Sequence, residues 1–311
     1  MVSPLLRRPL TIPALKQKPL QQKLDRLYTE INTPEFILKD PVKFPHRYKA
    51  GPDREIAAFL AATIAWGRRD LILKSTEKMF ALMGPSPYKY VMEGNYRKLG
   101  GSSLRSGSRG ACIHRTFFES DLRYFCKGFK VCYAKYGSLE ALFASTENVW
   151  EGISLFRETM AAANCSSVNR SSTNCASGNT DRYTKHIANP EANSACKRLH
   201  LALRWLVRRE GPVDLGLWKS LSPSSLFIPL DLHVGRTARR LGLLERKTND
   251  KKAVISLTEK LREFCPEDPV KYDLALFGYS AENLEYSKNL SLSKLQRPYM
   301  HRNPESYRYI K

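Results

Sequence analysis

The segment FIPLDLHVGRTARRLGLL, residues 227–244, gathers a carboxylate, an imidazole and three arginines around one short predicted helix. Pro229 forces Ile228 out of the helical region, which leaves Asp231 where an N-cap belongs. The helix is predicted from Leu232 to Leu241, with Arg239 and Arg240 in its last turn and Gly242 as its stop. An N-cap aspartate accepts backbone N–H bonds and feels the helix dipole, and both favour the ionised form. A carboxylate held anionic there could stabilise a developing sugar cation or activate a nucleophile. Capping alone equally accounts for an aspartate at this place. His233, two residues on, is expected to make a structural hydrogen bond in the first turn. Gly235 costs a helix interior roughly 1 kcal/mol relative to Ala, so a close approach of backbone or ligand is expected there.

The chain has 311 residues, with 51 Lys+Arg against 30 Asp+Glu, a formal charge of +21. The excess is localised. Residues 1–23 and 94–118 each carry five basic residues and no acid, and residues 195–240 carry nine basic and three acidic ones. These segments hold sixteen of the 21 excess charges. A phosphate polyanion is the natural partner of such a surface, because each neutralised phosphate releases counterions. Solubility or attraction to anionic lipid is the plainer alternative. The longest near-apolar run, Ile56 to Trp66, is eleven residues, against about 20 for a bilayer span. The proline-broken start, MVSPLLRRPLTIPALKQ, is not expected to be a signal peptide. Seven cysteines without CxxC spacing read as reduced cytoplasmic thiols. The six histidines are scattered, so no metal site and no cofactor are expected.

The elements that must position Asp231 are helical almost throughout. Helices are predicted from Asp53 as cap through Ile64, over Leu71–Met83, and over Phe118–Tyr136 with Gly137 as terminator. Ser138 caps a short one through Phe143; others cover Ser194–Arg209, Lys251–Phe264 and a last one opened by Asp268-Pro269 and closed at Gly278. Residues 94–110 read as a mobile basic loop, 163–182 as a polar loop or linker, and the last 25 residues as an extended basic tail.

The Pro-Leu-Asp-Leu-His-Val-Gly-Arg run, followed by Ala-Arg-Arg-Leu-Gly-Leu, resembles the V-D-x-H-V-x-R-x-x-x-R-L-G-L stretch of the helix-hairpin-helix DNA glycosylase superfamily. Three other segments are similar to that superfamily in order: REIAAFLAATIAWGRR (54–69), YFCKGFKVCYAKYGSLEALF (124–143) and KYDLALFGYS (271–280). The whole chain resembles, more closely still, an uncharacterised bacterial family known as domain of unknown function 2400. The superfamily resemblance implies that Asp231 is the catalytic carboxylate. It also implies an amine nucleophile: in NPEANSACKRLHLALRWLVRR, Lys197 falls at the position of the superfamily's lysine, 34 residues before Asp231. That gap is more similar to the archaeal 8-oxoguanine glycosylase branch than to the endonuclease III branch. Leu199, Leu203, Leu206 and Val207 form the buried stripe of this helix, while Lys197, His200 and Arg204 are expected on another side. Clustered cations with partial burial would there free the amine for attack. The same helix also fits a basic face meeting phosphates or solvent.

The sequence departs from the superfamily at two places. Ala192-Asn193-Ser194-Ala195 stands where Gly-x-Gly is expected, so phosphate anchoring by this hairpin is in doubt, although Asn193 can adopt the left-handed conformation. The terminal four-cysteine cluster is absent. Trp66, with Gly67, Arg68 and Arg69, sits at the superfamily's wedge position; a core aromatic ending a helix is the competing reading.

The expectation is therefore an all-α, two-lobed helical bundle resembling the helix-hairpin-helix glycosylases. A basic arm (1–23) precedes a lobe made of 24–52 and 210–285 that carries Asp231. The other lobe is 53–209, with loops at 94–115 and 160–185, and residues 286–311 form the tail. The partner is damaged duplex DNA, with no membrane role, in a cytoplasmic, nucleoid-associated setting. Lys197 and Asp231 would be catalytic, and Trp66, Arg68, Arg69, Asn193, His200, Arg204, His233 and Arg236 would contact DNA. The activity would be N-glycosylase with abasic-site lyase. The alternative is a non-catalytic nucleic-acid-binding protein on the same scaffold.

Overall fold

The structure, a computed structural model, describes residues 14–100, 109–165 and 185–280. The mainly helical expectation holds. The chain opens with α1 (Ala14–Ile31), α2 (Pro34–Leu38), α3 (Lys43–His46) and α4 (Gly51–Thr63). Next come α5 (Arg69–Met83), α6 (Pro87–Met92), α7 (Glu119–Tyr136), α8 (Leu139–Ala144) and α9 (Val149–Asn164). The C-terminal part holds α10 (Lys197–Val207), α11 (Leu232–Arg240), α12 (Lys251–Arg262) and α13 over 272–280. One small antiparallel hairpin pairs β1 (Cys112–His114) with β2 (Phe117–Phe118). Helix α1 begins inside the segment expected to be a basic arm, and α2, α3, α6 and α9 were not foreseen. The loop 101–108, most of the polar loop (166–184) and the C-terminal tail lie outside the described residues.

Helix α4 explains why a run of alanines sits in the middle of the chain. Ile56 through Ala62 are all buried, so its small side chains allow neighbours to approach from every side, α10 among them. Asp53 does not cap this helix as expected. Gly51-Pro52 starts α4 two residues earlier, and Asp53 instead accepts hydrogen bonds from Ser86 Oγ and Tyr88 N, both at 2.8 Å, at the entrance of α6. Glu55, also buried, accepts from Tyr133 Oη at 2.6 Å, Trp218 Nε1 at 2.7 Å and the first N–H groups of α8. One carboxylate thereby ties α4 to α7, α8 and the loop beyond α10. Burial pushes its pKa up against those four hydrogen bonds.

Asp268-Pro269 opens a 3₁₀ turn, Pro269–Lys271, and α13 continues through Gly278 instead of closing there. A Cβ on Gly278 would lie 1.8 Å from Ile31 Cδ1, so this glycine lets α13 lie against α1. Buried apolar residues from Leu24 to Leu276 form one contiguous core. Inside it run two arginines. Arg204 pairs with Asp214 and Asp273, and Arg208 with Asp214 and Asp268, the last through bonds of 2.8–3.0 Å. Arg208 also donates to Tyr28 Oη at 3.0 Å, which reaches α1.

Candidate active site

A cavity of about 830 Å³ opens where the α4–α5 corner, the segment after α2, and the starts of α10 and α11 meet α13. Its polar lining is Asp40, Arg69, Lys197, Arg204, Asp231, His233, Asn249, Asp273 and Ser280. Phe36, Trp66, Trp205, Leu230 and Phe277 supply much of its apolar wall.

Lys197 stands in the first turn of α10. The turn before it contains two non-glycine residues with positive φ, Asn193 at 57° and Cys196 at 46°. The left-handed conformation allowed to Asn193 is thus the one adopted, and the turn forms without the glycines. It is fastened to the start of α12 by Lys251 N donating to Asn193 O at 3.0 Å, beside a bridge between Ser194 and Asp250.

Asp231 is the N-cap of α11, as its sequence context predicts. Oδ1 accepts from Val234 N at 2.7 Å, and Asn249 Nδ2 donates to the Asp231 carbonyl at 2.8 Å. Oδ2 is left free of the helix and lies 3.3 Å from Lys197 Nζ. Both side chains keep contact with solvent, at 32% and 26% exposure. The fold therefore brings together two groups 34 residues apart in sequence, an amine and a carboxylate fixed in place by the backbone it caps. Asn249 also explains Gly235. A Cβ there would lie 2.7 Å from Asn249 Oδ1, so a side chain takes the space, rather than backbone or ligand.

The cations expected to crowd Lys197 are elsewhere engaged. His200 is buried to 1%, packed edge-on against Trp150 with ring centroids 4.5 Å apart, and neither ring nitrogen has a hydrogen-bond partner. Burial pushes it down to about 3. A DNA contact by His200 is therefore ruled out by its position in the core. Arg204 reaches the cavity wall but is 3% exposed and held by Asp214 and Asp273, so it too is no surface phosphate ligand. Of the polar stripe expected on α10, Arg204 turns inward where Asp214 and Asp273 meet it, His200 turns inward against Trp150, and Lys197 keeps contact with solvent.

Trp66 lines the cavity and is clamped. Its ring stacks on His186 at 5.7 Å and 25°, meets His114 edge-on at 4.9 Å, and has the Arg198 guanidinium 5.0 Å from its centroid. Arg198 is itself held by Thr63 O at 2.8 Å. Trp66 is a wall, not a projecting wedge. Arg68 points to solvent and pairs with Asp70 at 2.7 Å. Arg69 lines the cavity, 3.4 Å from Asp40 and with its guanidinium 4.9 Å from the Phe277 ring centroid. His233 is exposed at the cavity rim and, among the described residues, makes no hydrogen bond; Arg236 is exposed one turn further along α11.

Two carboxyls in the cavity escaped the sequence reading. Asp273 is 7% exposed and accepts from Arg204; burial pushes it up to about 6, against the pull of Arg204 and Lys197. Asp40 is also raised by burial, although Arg69 opposes it and Val42 N donates to its Oδ1 at 3.1 Å. Asp273 and Phe277 are four residues apart on α13 and both face the cavity. That i, i+4 spacing was the one available signal. Asp40, between two short helices, had none.

Among the described residues no helix is long and apolar enough to cross a membrane, and no three potential metal ligands cluster. The cysteines at 112, 126, 132, 165, 196 and 265 are free thiols. The model of one protein family, described as protein of unknown function (DUF2400), matches residues 40–282. No curated protein and no solved structure matches the chain.

Proposed function

The chain belongs to the DUF2400 family, and we propose that it is a DNA base-excision enzyme, an N-glycosylase with abasic-site lyase chemistry. The observation that carries this reading is the Lys197–Asp231 pair, 3.3 Å apart on the wall of an 830 Å³ cavity. Such a cavity accommodates an extruded nucleotide, and the half-buried rings of Phe36 and Phe277 on its wall give a base apolar surface to pack against. The resemblance of 227–244 and 189–209 to the helix-hairpin-helix glycosylases implies the same roles for the same two residues.

In this reading the nucleotide leaves the duplex and its sugar lies against the pair. The bond between C1′ and the base nitrogen breaks with its electrons leaving on the base. Asp231 Oδ2, whose partner oxygen is occupied by Val234 N, faces the oxocarbenium-like carbon and stabilises its charge. Lys197, its ammonium proton passed through water to the departing base nitrogen, attacks C1′ and forms a C–N bond. As the C1′–O4′ bond breaks, the attached nitrogen passes a proton to O4′ and a protonated Schiff base results; loss of a C2′ proton to water then expels the 3′ phosphate, breaking the C3′–O bond and nicking the strand.

The alternative, a non-catalytic nucleic-acid-binding protein on the same scaffold, draws support from one observation. Ala192-Asn193-Ser194-Ala195 stands where the glycosylases have the glycines that let the hairpin backbone approach a DNA phosphate.

Borohydride trapping on duplexes carrying abasic, uracil or 8-oxoguanine sites separates the two. The enzyme reading expects a covalent protein–DNA complex that Lys197→Gln abolishes. Asp231→Asn is expected to lower turnover by about 10²–10³ while sparing DNA binding, because asparagine still caps α11. Absence of both a trapped complex and base release across the panel would refute it.

A further inference from the structure

Base extrusion leaves a gap in the stack, and something must fill it or the base returns. Trp66 is clamped between His186 and Arg198 and cannot serve without breaking those contacts. Among the described residues the large apolar side chains that stand exposed are Leu38, Leu71, Leu82, Val131 and Leu232. Of these, Leu232 alone also lines the cavity, with 55% of its surface in solvent. It occupies the first helical position of α11, directly after Asp231. A leucine left this far in solvent forgoes the stabilisation that burial in the core would give it.

The surroundings of Leu232 say what covers it. Helix α11 buries Val234, Gly235, Thr237 and Ala238 and exposes His233, Arg236 and Arg240. Its other arginine, Arg239, is committed to Arg246 O at 2.7 Å and to Asn249. The outer face therefore reads as an apolar tip at the cavity mouth followed by basic groups at successive turns. That is complementary to a base stack flanked by phosphates, not to a second apolar protein surface.

We propose that Leu232 is the wedge that enters the DNA stack beside the extruded nucleotide, while His233, Arg236 and Arg240 face the adjoining phosphates. The inference rests on the base-excision reading for what occupies the cavity. Leu232 and Asp231 share one peptide bond, so insertion of the wedge and presentation of C1′ to Asp231 and Lys197 are set by the same first turn.

The test is a duplex with an abasic site next to 2-aminopurine, whose fluorescence rises when it unstacks. Wild-type protein should produce the rise, and Leu232→Ala should cut the binding-saturated rise about tenfold, because unstacking a step costs a few kcal/mol. Affinity by fluorescence anisotropy should change much less than the rise. The variant removes only an exposed side chain, so folding is spared. An unchanged rise with Leu232→Ala overturns the wedge and leaves the enzyme reading standing. No rise with the wild-type protein also overturns it, even where trapping occurs. A Leu232-dependent rise without any trapping keeps the wedge and removes the enzyme.

Discussion

His200 and Asp273 titrate in opposite senses, and both can be read in pH-dependent unfolding. The folded protein holds His200 down at about 3, against an ordinary 6.5, because its buried ring finds no partner for a proton. Its contribution is complete above pH 6.5 and is lost as pH falls from there toward 3. His200→Phe keeps the aromatic contact with Trp150 and removes the titration. In urea unfolding the variant should gain about 2 kcal/mol on wild type between pH 7 and pH 5. It should also leave DNA binding unchanged, and a binding loss would show that the ring is reached by DNA after all. Asp273 runs the other way. Its folded pKa, about 6, lies above the ordinary 3.8, so the protonated carboxyl favours the folded state. That contribution is complete below about pH 3.8 and lost as pH climbs through about 6. Relative to Asp273→Asn, the wild type should lose up to about 3 kcal/mol across this window. A flat difference between the two proteins would mean that Arg204 keeps Asp273 ionised throughout.

At the scale of elements, most of the capped amphipathic helices were legible, α1 and α9 were not, and the contacts between helices were not. Lys251–Arg262 and Leu232–Arg240 lie within a residue or two of their expected ends, because cap and apolar stripe are both written locally. Asp53 misled for a physical reason. A carboxylate three residues from a helix start can cap its own helix or a neighbour's, and only packing decides. The pairing of Lys197 with Asp231 was legible through family resemblance alone, since no local periodicity links two helix starts 34 residues apart. The polar stripe on α10 shows the limit. Spacing placed His200 and Arg204 on a common face, but their environment depends on Trp150, Asp214 and Asp273 from elsewhere. Packing of α7 on α9 makes a further test. A Cβ on Gly128 would lie 2.2 Å from Met160 Sδ and 3.3 Å from its Cα. Gly128→Ala should destabilise the protein by about 1–3 kcal/mol in thermal or urea unfolding, with Met160→Ala in the same chain recovering part of the clash term. Full additivity of the two losses would refute the contact.

At the scale of the whole molecule, the described arginines of α10 and α11 divide into two populations with different work. Arg204 and Arg208 belong to the interior, where Asp214, Asp268 and Asp273 hold them and join α10 to α13 and, through Tyr28, to α1. Arg236 and Arg240 belong to the surface beside the cavity. A buried ion pair broken from one side leaves an uncompensated charge, which costs about 3–5 kcal/mol. A surface arginine on a phosphate contributes instead to counterion release, so its loss lowers the slope of log K against log salt by about 1. The two populations should therefore separate cleanly in a pair of variants. Arg208→Met should lower unfolding stability by the larger figure while the protein that remains folded binds duplex DNA with the wild-type salt slope. Arg236→Gln should leave unfolding within experimental error and flatten the slope. If Arg208→Met flattens the slope and Arg236→Gln does not, the basic surface has been assigned to the wrong face of the molecule, and the cavity beside α11 is not where DNA lies.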